Sequence, residues 1–329
     1  MTDAMRNLYR PPEVAQYTMA VVERRYKERG LMLKSGISTL DRVMKPLLPS
    51  EVVIVSAMTS HGKTSLMQCW ARNVVAQLVQ RESTNQIAVY ASWETGTEEL
   101  GLYDLASATG VDSTKAWYGD IPESDIEKLR MAAVRRAASP MWVVGRSLKR
   151  RKQAGRVTIP MLGEVLRILE DSEGITAPII FLDYVQRATP IDGRKERRIQ
   201  VMQNVDAVFD IAASTGASVV VGSQAGRKPG ERDFKLPEVG DNQESSRIEQ
   251  DADKVLALWY PCKTEGIGQT VRELNIVVDE NLIICGIRKQ RHAASGQIFP
   301  LYFDPVRNLF TAWEQSIPET RYQDDAFDL

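Results

Sequence analysis

Hydrophobic and polar positions along the chain fall into two alternating regimes. Short apolar runs rich in β-branched residues recur at 51–55, 87–91, 141–144, 179–182, 218–222 and 255–259. Continuous apolar runs of this length are what strands covered on both faces require. Between several of them, mixed apolar and polar stretches predict helices over 98–108, 123–138, 161–170 and 200–214. The alternation predicts an α/β domain with a mainly parallel central sheet. Late in the chain the pattern changes. Residues 272–278 and 282–289 read as a C-terminal hairpin around Asp279-Glu280-Asn281, and 298–310 add further strand.

The N-terminal stretch differs from both regimes. Residues 1–12 are polar and end in Pro11-Pro12, which predicts a loose arm. Residues 13–29 predict a helix with Val14, Tyr17, Val21 and Val22 toward one side and a basic C-terminal half; Gly30 is its expected stop. Such a helix either packs on its own domain or docks on a neighbouring subunit.

Composition narrows the classes. The 329 residues are 43% hydrophobic and 26% charged, as in an ordinary globular protein. A formal net charge of -1 excludes a uniformly basic nucleic-acid binder but leaves room for a local basic channel. Cys69, Cys262 and Cys285 are far apart, match no zinc pattern and fit a reducing compartment. The N-terminus lacks the apolar stretch of a signal peptide, and no apolar run is long enough to span a bilayer. The expectation is a cytoplasmic protein with no membrane partner.

Chemistry enters directly after the first strand. Ala57-Met58-Thr59-Ser60-His61-Gly62-Lys63-Thr64 joins the run at 51–55 to a stretch opening Thr64-Ser65-Leu66. This is a P-loop in its proper strand–loop–helix setting, with Ala57 where the strict pattern has glycine. Backbone N–H groups from Ala57, Ser60, His61, Gly62, Lys63, Thr64 and Ser65 are candidates for holding the phosphates of ATP. Lys63 would reach the β- and γ-phosphates, and the Thr64 hydroxyl would hold Mg²⁺. Asp183, closing the run Ile179-Ile180-Phe181-Leu182, is the Walker B candidate for the Mg²⁺ shell. Glu94, just past the strand at 87–91, is either a base for the attacking water or an acidic residue at a helix start. Gln224 ends another strand and is a candidate γ-phosphate sensor.

These segments, in this order, resemble the motor domain of the DnaB-type replicative DNA helicases. Besides the P-loop they are Tyr90-Ala91-Ser92-Trp93-Glu94, Leu182-Asp183-Tyr184-Val185-Gln186, Val221-Gly222-Ser223-Gln224, Ile248-Glu249-Gln250-Asp251-Ala252-Asp253 and Lys289-Gln290-Arg291. The resemblance implies a RecA-like P-loop ATPase over residues 30–311. Residues 1–29 become an arm and linker-like helix, and 312–329 a polar acidic tail. Glu94 becomes the catalytic carboxylate. Lys289 and Arg291, which alone read as solvated hairpin charges, become groups acting in trans on a neighbour's nucleotide. Asp251 and Asp253 become part of a structural motif rather than metal ligands. A hexameric ring around single-stranded DNA is implied, with a replication loader or primase as further partner and a host cytoplasm if phage- or plasmid-encoded. A recombinase-like or regulatory ATPase without unwinding, and an ATP-dependent scaffold or loader, stay open as alternatives.

Two basic loops are candidates for DNA. One carries Arg187, Arg194, Lys195, Arg197 and Arg198; the other carries Arg227, Lys228, Arg232 and Lys235, with Phe234 as one aromatic. Both suit phosphate tracking and equally suit solvated loops. Several features depart from the family. No counterpart of its separate N-terminal domain is expected. Gln243 stands at a common arginine position, Ser246-Arg247 replaces a Gly-Ser pair, and residues 146–156 form an unusual basic run.

Overall fold

The computed structural model of the chain describes residues 8–149, 157–241 and 246–313. Residues 1–7 of the expected arm, Arg150, Arg151, Lys152 and Arg156 of the basic run, and Gln243 lie outside the described residues. So do the side chains of Ser246 and Arg247 and the acidic tail from 314 onward.

All the expected parallel strands form: β1 (Val52–Ala57), β2 (Gln86–Ser92), β3 (Met141–Val144), β4 (Thr176–Asp183), β5 (Ser218–Gln224) and β6 (Lys254–Trp259). Then come β7 (Thr270–Val271), β8 (Ile276–Val277), β9 (Leu282–Gln290), β10 (Ile298–Asp304) and β11 (Leu309–Ala312). A nine-stranded sheet runs β11-β10-β9-β6-β1-β5-β4-β2-β3. From β6 to β3 every pairing is parallel; β9, β10 and β11 join antiparallel. The fold class read from the alternation is the one found.

The helices are α1 (Pro11–Lys27), α2 (Ser38–Val43), α3 (Lys63–Gln80), α4 (Thr97–Thr109), α5 (Ser113–Tyr118), α6 (Glu123–Ala137), α7 (Ile159–Glu173), α8 (Arg197–Thr215) and α9 (Ser246–Asp251). Strand alternation distributes the core between two faces. Val53 and Val55 of β1 pack with Leu66, Met67, Trp70, Val74 and Leu78 of α3. Val52 and Ile54 pack on the other face with Leu162 of α7 and Val201, Val205 and Val208 of α8. Both faces are covered, so the run is apolar at successive positions. β4 is central despite Pro178, which has no N–H to give its neighbours; the β2–β4 register slips between Gln86 and Ala88 beside it.

Three expectations are corrected. The hairpin between 272–278 and 282–289 does not form. β7 and β8 make a separate two-stranded ribbon, turned at Asn275 with φ 52, and β9 instead pairs with β6 and β10. β9 is buried over nearly its whole length, so it takes neighbours on both sides inside the main sheet. Pro11 and Pro12 do not end a loose arm. They occupy the first turn of α1, where a missing N–H costs nothing, and the Arg10 N–H donates to Glu13 Oε2 at 2.6 Å. Gly30 is not a left-handed stop, because α1 runs out into a single 3-10 turn at Arg29–Leu31. No residue of α1 is buried, so it does not pack on its own domain. Among the described residues no helix is long and apolar enough to cross a membrane.

Candidate active site

The P-loop lies between β1 and α3. Ala57 is the last residue of β1, buried and extended beside Gln224, so that position does not demand the freedom of glycine. Gly62 does, for two reasons. Its φ is 82, and a Cβ there would sit 2.9 Å from Ile283 Cδ1 and 3.3 Å from Phe310 Cζ. Gly62 precedes α3 and brings no side-chain cap, leaving the first N–H groups of the helix, at Lys63, Thr64 and Ser65, without an intrahelical acceptor. Uncapped amides at the start of a helix, with a lysine and a hydroxyl beside them, suit the phosphates of a nucleotide. Thr59 and Ser60 form the exposed tip.

The His61 side chain is anchored away from the phosphate-facing amides. Its ring is buried, and Nδ1 accepts from the Tyr260 backbone N–H at 2.9 Å. Burial, then the Lys263 charge, pushes its pKa down to about 4, so it is neutral at physiological pH. The side chain fastens the P-loop to the chain just past β6.

Asp183 ends β4, two strands from β1, and is fully buried. Its Oδ1 pairs with Lys63 Nζ at 3.1 Å, and its Oδ2 accepts from the Tyr90 hydroxyl at 3.2 Å. Burial and the neighbouring carboxylate push the Tyr90 pKa well above its ordinary value, so the phenol remains a donor. Lys63 Nζ also lies 3.8 Å over the Tyr184 ring. The β2–β4 register sets Ser92 beside Asp183, and the Trp93 N–H donates to the Asp183 carbonyl at 3.0 Å. Glu94 follows, exposed at the same sheet edge as the P-loop. Gln224 Nε2 donates to Thr59 Oγ1 at 2.8 Å, tying the end of β5 to the P-loop tip. Lys63, Thr64, Asp183, Glu94 and Gln224 thus gather beyond the carboxyl ends of parallel strands. Tyr90 and Tyr184 complete the group, and sequence reasoning missed both. Their signal was their place beside Glu94 and Asp183, but which strands are neighbours is not written locally.

Lys289 and Arg291 are not in this group. They lie at the other end of β6, where the antiparallel register sets Lys289 beside Val255. Lys289 Nζ donates to the carbonyls of Glu249, at 3.3 Å, and of Gln250. Burial, then the Arg291 charge, holds Lys289 below its ordinary range. Arg291 Nη1 is 3.2 Å from Asp253 Oδ1, and the Arg291 side chain is 55% exposed. Asp253 also accepts from the Val52 N–H at 2.9 Å, a structural contact at the foot of β1.

The basic loops leave β4 and β5 at the P-loop edge. Arg194, Lys195, Arg227 and Lys228 are exposed. Arg197 donates to the Gln186 carbonyl, which ties the far end of its loop back to β4. Arg232, also read as a candidate DNA contact, is engaged within its own loop. It forms a two-pronged pair with Asp241 at 2.7 and 2.8 Å, which braces its own loop. Phe234 packs with Trp259 in a T-shaped pair at 5.3 Å and is half-buried.

Sheet order, strand directions and the loop after β1 define a P-loop nucleotide-binding domain of the RecA-like type. The model of the DnaB-like helicase C terminal domain matches residues 32–312, and the chain belongs to that family. It is 26% identical over 304 residues to the replicative DNA helicase DnaC of Bacillus subtilis (strain 168), covering 90% of this chain and 60% of that protein. It is 23% identical over 280 residues to a probable plasmid replicative DNA helicase of Chlamydia trachomatis, covering 84% and 54%. The chain therefore spans little more than half the length of these relatives. Among solved structures, one described as an ATPase domain has the same fold, with a TM-score of 0.74 at 22% identity over 92% of this chain and 99% of that one. A DnaB-like replicative helicase, described with its interactions with primase, has a TM-score of 0.70 at 23% identity over 86% and 63%.

Proposed function

We propose that the chain is the motor of an ATP-driven translocase or helicase on single-stranded DNA, hydrolysing ATP at the subunit boundaries of a hexameric ring. The observation that carries this reading is the position of Arg291 and Lys289. Along β6, Val255 and Leu258 are about 10 Å apart at roughly 3.3 Å per residue. Lys289 stands beside Val255, while the P-loop begins beyond Ala57, the register partner of Leu258. Lys289 and Arg291 thus stand about 10 Å along the sheet from the P-loop of their own chain, which supports a role for them at a neighbour's site. The uncovered α1 supports the same assembly. Half-exposed Val14, Tyr17, Val21 and Val22 suit a neighbouring subunit as cover.

Within one site the roles follow from charge and position. The α3 amides and Lys63 bind the phosphates, with Lys63 exchanging Asp183 for phosphate oxygen. Thr64 and Asp183 would hold Mg²⁺, which would supply positive charge against the phosphates. Glu94 orients water and takes its proton. Gln224 donates to Thr59 at the P-loop tip, so it serves as the γ-phosphate sensor that links the end of β5 to the phosphate site. Arg291 from the neighbour offsets charge that grows during transfer. Arg194, Lys195, Arg227 and Lys228 track the DNA backbone. A replication loader or primase is the protein partner this reading calls for, in a cytoplasmic setting.

Mixing two inactive proteins tests it. Arg291→Ala keeps the P-loop and Lys63→Ala keeps Arg291, so mixed rings should regain ATPase activity that each variant lacks. No recovery in oligomers proven to be mixed would remove the trans role. Monomers alone in native mass measurements, with ATP and single-stranded DNA present, would remove the ring. A strand-displacement assay separates a helicase from a non-unwinding ATPase or a scaffold.

A further inference from the structure

Tyr90 contributes a group that these roles leave unused. Its register partner on β4 is Phe181, so Asp183, two residues further on, lies on the same face of the sheet. The Tyr90 and Phe181 rings stack, with centroids 5.9 Å and planes 16° apart, and Trp70 of α3 meets Phe181 edge-on at 6.2 Å. A phenylalanine at position 90 would fill the same slot in this stack. A hydroxyl buried there is costly unless it is bonded, and it donates to Asp183 Oδ2 at 3.2 Å. The Asp183 carboxylate is thereby divided. Oδ2 faces the phenol, and Oδ1 faces Lys63 Nζ at 3.1 Å. Gly222 of β5 keeps Oδ1 uncrowded, because a Cβ there would sit 3.2 Å from it and 3.1 Å from Met67 Sδ. An uncrowded carboxylate oxygen beside the phosphate-binding lysine suits an Mg²⁺ shell, which takes oxygen donors.

We propose that Tyr90 is a positioning residue for Asp183: its hydroxyl holds Oδ2, so that Oδ1 is the oxygen presented to the divalent cation of the nucleotide. The proposal rests on the reading of Asp183 as part of the Mg²⁺ shell. When Lys63 exchanges Asp183 for phosphate oxygen, the buried carboxylate loses a donor. Tyr90 is fixed by its ring stack and stays. Its hydroxyl keeps one oxygen bonded and the plane of the carboxylate set through the exchange. Without that bond the outer torsion of an aspartate is broad, and the aim of Oδ1 is lost. Hydrogen bonds of this kind orient a ligating carboxylate, and metal affinity depends on them. The amides of α3 and Lys63, which hold the phosphates, make no contact that needs the hydroxyl. Tyr90 therefore serves the cation and not the nucleotide itself.

Mn²⁺ is the probe, because its free form is read directly by electron paramagnetic resonance. It is titrated into the full chain with ADP held below the protein concentration, in wild type, Tyr90→Phe, Asp183→Asn and the Tyr90→Phe/Asp183→Asn double variant. Binding of a fluorescent ADP analogue in EDTA is measured beside it. Tyr90→Phe keeps the ring stack and removes only the hydroxyl. It should weaken Mn²⁺ about tenfold while metal-free nucleotide affinity changes by less than about twofold. In the Asp183→Asn background, Tyr90→Phe should weaken Mn²⁺ no further, since the two act as one unit. Unchanged Mn²⁺ affinity in Tyr90→Phe, beside a loss in Asp183→Asn, overturns the proposal and leaves the metal role of Asp183 standing. Equal losses with and without metal make Tyr90 a packing residue and overturn it as well. Mn²⁺ affinity that Asp183→Asn does not reduce overturns the reading of Asp183, and this proposal with it.

Discussion

β1 and β9 are separated only by β6, yet they deliver their candidate residues to opposite ends of the sheet. β1 runs parallel to β5 and β4, so the P-loop, Gln224 and Asp183 leave at a common edge. β9 runs the other way and carries Lys289 and Arg291 to the far edge. The two regions are held differently as well. At the parallel edge the polar groups answer one another: Lys63 to Asp183, Tyr90 to Asp183, Gln224 to Thr59. The antiparallel side contributes bracing, with Ile283 and Phe310 against Gly62 and the chain after β6 bonded to His61. Reversing strand direction in part of a sheet lets one domain present a nucleotide site and, at the opposite edge, the cations that the proposed function assigns to another copy's site.

The largest effect is expected at the parallel edge. Glu94→Gln keeps the shape of the side chain and removes the proton acceptor. ATP binding should persist while turnover falls about 10²- to 10⁴-fold, the usual worth of a positioned base. Equilibrium binding measured beside steady-state hydrolysis checks this, and near-normal turnover would return Glu94 to the role of a helix-start acid.

The bracing side is probed by pH. His61 has a folded pKa of about 4 against an ordinary 6.5, so the folded state resists its protonation. Its stabilising effect is complete above pH 6.5 and is lost as pH falls from there through 4. The full difference is at most about 3 kcal/mol, at 1.36 kcal/mol per pKa unit. His61→Asn retains an acceptor for the Tyr260 N–H without a titrating ring. Denaturant melts at pH 7 and pH 4.5 should show a smaller acid loss in the variant than in wild type. Equal losses would mean that His61 does not set the acid limit of the P-loop.

The smallest effect separates charges that are free from charges that brace. Changing Arg227 and Lys228 together to alanine should flatten the salt dependence of single-stranded DNA binding by about 1.4 in log–log slope, at roughly 0.7 per phosphate contact. Arg232→Ala should leave that slope unchanged and lower stability, because Arg232 is engaged with Asp241. If Arg232 changes the slope and the other pair does not, the assignment of the second loop is inverted.

Most of this architecture was legible because the signals are local. The runs that became β1 to β6 are apolar at successive positions, and the P-loop and Asp183 close two of them. What escaped was pairing at long range. The stretch at 272–278 has a hairpin's pattern, but only the buried length of β9 decides that its partners are β6 and β10. His61, Arg232 and Phe234 each sit inside a motif or loop that suggests a ligand. Tyr260, Asp241 and Trp259, distant or nearby in sequence, claim them first.

In the ring proposed above, α1 would make the domain depend on its own abundance. A helix of this length without tertiary cover is marginal in water. Val14, Tyr17, Val21 and Val22 are half-exposed, and a neighbouring subunit would give them cover. Helical order in this segment would then be created by mass action, and dilution would dissolve it together with the subunit boundary. Supply of the protein, as much as supply of nucleotide, would control whether the motor exists.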